Sequence, residues 1–263
     1  MSDVTRPLQG REKIAVRCTQ AALVVGLLAA WHYATAVKAI SSLMLPSMQD
    51  VALQFLGILR AGTFWGDMAV TLDEIIWSFL IAAVLGAALG FALSRRRIDI
   101  VVFEPLLAGL YAIPIIVIYP LYVLFFGLGP NSKIALGATT AFFPIVLSTM
   151  TGFAAVPRRL LDASRVMGAS HWKLFRYVLV PAAFPLIVAG LRIGLILAFL
   201  SIIGGEMLAS YRGIGRLIID QAEAMNTGRM YGYIVFLVIF SLALNALVFA
   251  AEARIGRPRR HRE

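Results

Sequence analysis

The chain has 263 residues, 60% of them hydrophobic and only 14% charged, with a mean hydropathy of +0.85. Soluble domains carry about 25% charged residues, so this composition excludes a water-soluble globular protein and points to a bilayer. A net charge of +10 does not mark a nucleic-acid binder, because the 24 lysines and arginines sit in short clusters between apolar runs and form no continuous basic face.

A helix needs ~20 mostly apolar residues to cross a hydrocarbon core ~30 Å thick at 1.5 Å per residue. Residues 1–17 are too polar and basic to enter lipid and read as a tail. The first span is expected at 18–37. It opens on Cys18, the single cysteine, which excludes a disulfide framework and a cysteine-based metal site. Ala34-Thr35-Ala36 has the form of a secretory cleavage site, but the run is long and more spans follow it. After Leu45-Pro46-Ser47, residues 48–60 set Val51, Phe55 and Ile58 at helical spacing, predicting a short helix on the outer surface.

The second span is expected at 72–94, with Asp73 and Glu74 at its outer end. Gly86 and Gly90 in it have the small-xxx-small spacing that lets two helices approach closely. The third span, 104–126, carries Pro114 and Pro120; with Pro144 in the fourth (134–154) and Pro185 in the fifth (184–207) they predict kinked helices, either around a cavity or for the structural reasons that make prolines frequent in membrane helices. Tyr111, Tyr119 and Tyr122 set hydroxyls beside those kinks, either lining a pathway or serving as packing and interface anchors. Between the fourth and fifth spans lies a polar, basic insert, 155–183. In it Arg158 to Met167 and His171 to Val178 read as short helices, Gly168 stopping the first and Ser170 capping the second. Leu160, Ala163, Ser164 and Met167 follow i, i+3, i+4, i+7 spacing, a strip suited to a partner's groove.

In the fifth span Arg192 has two readings, an anion-facing pathway residue or an arginine reaching back to the interface and tying down the insert; the second is the simpler. Glu206, near the outer end, either bonds a neighbouring helix or forms part of an outer gate, again with the structural reading the simpler. The sixth span is expected at 230–251, and 252–263 is a basic tail. Seventeen of the lysines and arginines fall on the face that holds both termini and the insert, and six on the other. Cytoplasmic connections retain positive charge, so both termini and the insert are expected in the cytoplasm, which an even number of spans allows. His32 and His171 are isolated and suggest no metal site. No Ser/His, paired Asp or His-rich constellation of an intramembrane enzyme is visible.

The insert resembles the coupling loop of ATP-binding-cassette importer permeases, whose pattern is Glu-Ala-Ala, three residues, Gly, nine residues, then Ile-x-Leu-Pro. Asp162-Ala163-Ser164, Gly168 and Val178-Leu179-Val180-Pro181 fit it without a gap. Phe126-Gly127-Leu128-Gly129, Ser132-Lys133, Phe143-Pro144-Ile145, Gly168-Ala169-Ser170, Leu191-Arg192-Ile193 and Glu206-Met207-Leu208 look like the branch of that family for nitrate, sulfonate and taurine. The likeness covers about residues 45–250.

The resemblance implies an all-α polytopic membrane protein of the type I importer permease fold, with six spans in a permease domain over 18–251 and cytoplasmic termini. It implies a transport subunit rather than an enzyme, in the bacterial cytoplasmic (inner) membrane. No Gly-x-x-x-x-Gly-Lys-Ser/Thr loop is present, so no cofactor is expected on this chain; ATP and Mg belong to partners. Those partners would be two cytoplasmic ATPases, a second copy of this chain, and a periplasmic or lipid-anchored solute-binding protein. The second copy fits the lack of an internal repeat. ATPase coupling would fall to Leu160, Leu161, Asp162, Ala163, Ser164, Met167, Gly168, Ala169 and Pro181; Tyr111, Pro114, Tyr119, Tyr122, Arg192 and Glu206 are the pathway candidates. The expected cargo is a small anion, with a pyrimidine, flavin precursor or aromatic acid as alternatives. An ion-coupled secondary transporter is the rival class; it needs intramembrane carboxylates, of which Glu206 alone is evident.

Overall fold

The computed structural model describes residues 10–255, and all regular structure among them is helical. Five helices are long and apolar enough to cross a membrane, six if one bent pair counts as a span.

Helix α1 (Gly10–Ala36) stands apart, with none of its apolar stretch buried. Its ties to the rest include a hydrogen bond from Trp31 Nε1 to the Pro46 carbonyl (3.0 Å) and contact of the Trp31 ring with Tyr231. Ser47 begins α2 (Met48–Arg60), its hydroxyl accepting from the Asp50 amide at 3.1 Å. Val51 and Ile58 bury the apolar face of α2, and Ile58 lies against Gly232 of the last helix, where a Cβ would come within 2.8 Å of its Cδ1.

Helix α3 (Gly62–Leu93) begins ten residues before the expected span. The third span is not one helix. Helix α4 (Arg97–Tyr111), a 3₁₀ turn (Ile115–Ile118) and α5 (Tyr119–Phe126) bend by 71° at the break. Pro114 has no amide and keeps the residue before it out of the helical region, which ends α4; Pro120 sits in the first turn of α5, where no donor is needed. Helix α6 (Pro130–Ala154) and helix α9 (Val180–Leu208) run on through Pro144 and Pro185.

Between them lie α7 (Arg158–Val166), α8 (His171–Leu174) and a π-helical turn (Phe175–Leu179) that leads straight into α9. The insert therefore has no loop at 179–183: its second helix and the fifth span form one rod, His171–Leu208, of 38 residues. Pro181 explains the π turn. In regular α-helix its ring would meet the Tyr177 carbonyl, and the wider turn relieves that clash. Two helices complete the described residues, α10 (Ile214–Glu223), in a stretch expected to be a plain connection, and α11 (Thr227–Ile255).

The core is a three-helix sandwich with α6 between α3 and α9. Small residues set the spacing. A Cβ on Gly90 would lie 2.6 Å from the Val146 carbonyl oxygen, and one on Gly194 would lie 2.6 Å from Ile145 Cδ1. Close backbone approach is what gives helix contacts their dispersion energy where lipid offers no hydrophobic drive. A second cluster, built on Ile58, Phe64, Ile202, Ile214 and Tyr233, joins α2, α10 and α11 to the core.

The helix directions sort the molecule into two ends. The end of α3, the end of α6 and the insert meet at one, through the rings of Phe91, Phe153 and Phe175. At the other end the start of α6, the end of α9 and the start of α10 converge.

Candidate functional site

At the insert end, α7 stops by a Schellman motif. The Ala169 amide donates to the Ser164 carbonyl (3.0 Å), and the Gly168 amide donates to Arg165 (2.9 Å). Gly168 has φ +76, a left-handed conformation that costs glycine nothing and a Cβ-bearing residue strain. Ser170 then caps α8, accepting from the Lys173 amide at 3.4 Å. The chain thus reverses within four residues between two helices.

The expected strip on α7 is divided. Leu160, Ala163 and Met167 are exposed, and Val166 beside them is 90% exposed. Ser164 instead turns inward and donates to the Leu160 carbonyl at 2.7 Å. Its small side chain serves packing of the insert against its own bundle. Leu161 and Ala169 are half-buried, Asp162 is exposed in a 3.5 Å pair with Arg165, and Pro181 lies in the first turn of α9. Three large apolar side chains thus stand free on a nine-residue helix and its cap.

At the opposite end the structure builds a buried charged cluster from residues that the sequence reading divided between two span ends and the connections beside them. Lys133, one residue outside the expected fourth span, is 2% exposed; its ammonium lies 3.0 Å from Glu74 and donates to Ser210 at 2.8 Å. Glu74 is fully buried on α3, twelve residues from its start rather than at the helix end where it was expected. Glu206 is also fully buried. Its Oε1 accepts from the Thr71 hydroxyl and its Oε2 from the Gly215 amide, both at 2.7 Å. That carboxylate sits at the positive end of α10, where a negative charge is stabilised. Gly213, at φ +111, leaves the room it needs, since a Cβ there would run into the Glu206 carboxylate. Asp67 completes the cluster, accepting from the Gly213 amide at 3.2 Å and from Arg212 Nε at 3.3 Å. Among the described residues two fully buried carboxylates lie in the long apolar helices rather than one: Glu206 accepts from Thr71 and Gly215, while Glu74 is ion-paired to Lys133 through Oε1 and its Oε2 has no hydrogen-bond partner.

The signal for this cluster was legible. Asp67, Thr71, Glu74 and Ser78 recur at steps of four, three and four along α3, one polar stripe on an apolar helix. Starting the span at residue 72 cut the stripe in two.

The pathway candidates separate into two groups. Tyr111, stacked on Phe143 at 6.0 Å, and Pro114 lie exposed at the break between α4 and α5. Tyr119 is buried and donates to the Ala209 carbonyl (3.0 Å), and Tyr122 donates to Thr139 (2.8 Å). Arg192 does not tie down the insert. It reaches α11, donating to Asn245 at 3.0 Å, with Glu252 at 3.7 Å and the Phe249 ring at 5.8 Å. A groove of about 510 Å³ runs between α3, α5 and α6, bordered by Leu85, Tyr122, Asn131, Thr139 and Phe142.

Residues 82–261 match the family described as binding-protein-dependent transport system inner membrane component. The chain belongs to that family. Among the permease's relatives, a putative aliphatic sulfonates transport permease protein of Bacillus subtilis (strain 168) is 29% identical, over 82% of this chain and 79% of its own. A riboflavin transport system permease protein of Chloroflexus aurantiacus is 31% identical, over 88% and 86%. A taurine transport system permease protein of Escherichia coli (strain K12) is 28% identical, over 87% and 85%. An inward-facing structure of the MetNI methionine ABC transporter matches the permease with a TM-score of 0.55 at 25% identity, over 73% of this chain and 92% of that one. The permease is therefore a multi-pass membrane subunit of an ABC importer, a transport component rather than an enzyme, in a family that implies ATPase and solute-binding-protein partners.

Proposed function

We propose that the permease forms, as a homodimer in the bacterial inner membrane, the pathway for a small anionic solute such as a sulfonate or taurine. Two ATPases dock on α7 from the cytoplasm, carrying ATP and Mg themselves, and a solute-binding protein delivers cargo at the opposite end. Both termini and the insert lie in the cytoplasm, where positive charge is retained. The carrying observation is the exposed Leu160–Ala163–Met167 face on a helix joined to a 38-residue rod. At 1.5 Å per residue the rod is about 57 Å long, enough to carry motion at the insert to Glu206 at its far end. Closure of the ATPases on α7 moves the rod as a unit, and the buried cluster is the joint through which α3, α6 and α10 follow. Such a joint is bistable, not continuously deformable, because close-packed interfaces have few arrangements.

The sulfonate and taurine relatives support the anion reading, and the riboflavin relative gives the alternative cargo. The test is uptake into proteoliposomes holding the permease, its ATPase and its binding protein, with taurine, an alkanesulfonate and riboflavin as cargoes. Ala163→Asp puts a charge on the docking face without touching the bundle. Uptake is expected to fall at least tenfold, the equivalent of ~1.4 kcal/mol of lost coupling, while the dimer stays inserted. Normal uptake by this variant refutes docking on α7.

A further inference from the structure

A second cleft, of about 560 Å³, opens beside the insert; α7 borders it with Leu161 and Arg165, not with Leu160, Ala163 or Met167. Its walls are Phe91 from α3, Phe153 from α6 and Trp172 from α8, and its rim carries Arg95, Arg165 and His171. We infer that this cleft binds the phosphate headgroup and upper chains of an anionic membrane lipid.

Three observations converge on that ligand. No carboxylate lines the cleft, and Arg95 has no ion pair among the described residues; Asp99 faces the neighbouring cleft, with Arg95 and Arg96. Arg165 has one carboxylate neighbour, Asp162, at 3.5 Å, with both side chains about two-thirds exposed, so it is free to exchange that partner for a phosphate. The cleft spans the end of the apolar run of α3, from Phe91 inside that helix to Arg95 two residues beyond it, so apolar walls pass directly into a basic rim. Basic pockets between spans at such a boundary suit acidic lipid headgroups, and a tryptophan there suits the interface. Finally, the volume and aromatic walls exceed what a free phosphate fills. Glycerol and the first methylenes of a lipid cover the rings that a soluble anion would leave wet.

The cleft joins three elements: Phe91, Phe153 and Phe175 touch at 5.0–6.5 Å, and the insert is anchored through them. A lipid seated there holds the insert against the bundle while leaving Leu160, Ala163 and Met167 free.

Native mass spectrometry of the full-length chain, released from micelles that contain equal phosphatidylglycerol and phosphatidylcholine, tests this. One phosphatidylglycerol per protomer is expected to stay bound, with phosphatidylcholine lost. Arg95→Gln weakens retention about fivefold, the value of one basic residue at an anionic surface, and Arg95→Lys keeps most of it. Arg165→Gln, on another element, gives the same loss and stands in should Arg95→Gln fail to fold. Equal retention of both lipids, or unchanged retention in both glutamine variants, overturns the inference. Displacement of the lipid by millimolar inorganic phosphate or glycerol phosphate also overturns it and makes the cleft a soluble-anion site.

Discussion

Glu74 and Lys133 meet at 3.0 Å with side chains 0% and 3% exposed, enclosed by the helices around them. Removing one partner from such a pair leaves a buried charge alone and costs about 3–5 kcal/mol, whereas replacing both by apolar residues of like size is often neutral. Lys133→Met is therefore expected to lower the thermal midpoint sharply, and Glu74→Met with Lys133→Met to recover most of the loss. Unfolding of the detergent-solubilised chain, followed by a double-mutant cycle, measures this; equal midpoints for the single and double variants would remove the pair as a structural joint. The cluster also marks where single-residue reading reaches its limit. Lys133 lies three residues past a proline, Ser132 and Lys133 look like a solvated helix start, and nothing local reveals that Ser210 and Glu74 close over them. Arg192 carries the same lesson: its cost in lipid is visible from its position, but its partner, Asn245, is fifty-three residues away.

At the scale of the element, the long apolar runs were readable because a 20-residue hydrophobic stretch has few other uses. The turns were readable where a residue type is demanded by geometry: Gly168 ends α7, Ser170 caps α8, and Ser47 caps α2. The breaks were less so. Proline marked the third span as irregular, but 71° of bend depends on how α5 packs on α6, which proline does not encode. The continuity of the insert with α9 was hidden for the opposite reason, since Pro181 suggests a stop and the π turn absorbs it. Helix α10 follows Gly213 with Ile214, Leu217 and Ile218 at helical spacing, too short a run to stand out beside the spans.

Glycine positions make the element scale testable in both directions. On Gly90 a methyl group would lie 2.6 Å from the Val146 carbonyl and 2.7 Å from Thr149 Cβ, so α3 and α6 must part to admit it. Gly57, inside α2, faces open space. Gly90→Ala is expected to destabilise by about 1–3 kcal/mol through overpacking, and Gly57→Ala to stabilise by about 0.5–1 kcal/mol through helix propensity. Thermal midpoints shifting in opposite senses bear this out; a neutral Gly90→Ala would mean that the α3–α6 contact is looser than its geometry.

For the whole molecule, the distribution of charge is the one feature that the sequence and the fold express independently. The Arg95–Arg97 turn and the insert are gathered at one end by the Phe91, Phe153 and Phe175 rings, while Lys133 and Arg212 gather at the other through Ser210 and Asp67. Had the fold mixed these groups, the seventeen-to-six bias of the sequence would carry no orientation. Because they segregate, the insert end would have to carry its basic side chains through hydrocarbon, at ~2.5–3.5 kcal/mol each at the centre, to change sides, so this end is expected to stay on the cytoplasmic face. The single cysteine makes this measurable. In a Cys18→Ser background, Met167→Cys reports the insert end and Tyr211→Cys the opposite end, at positions 79% and 77% exposed. A membrane-impermeant maleimide added to intact spheroplasts is expected to label the chain carrying Tyr211→Cys and to leave the one carrying Met167→Cys unlabelled until the membrane is opened. The reverse pattern would put α7 beyond the reach of any cytoplasmic ATPase and end the coupling mechanism, while leaving the fold and its buried cluster untouched.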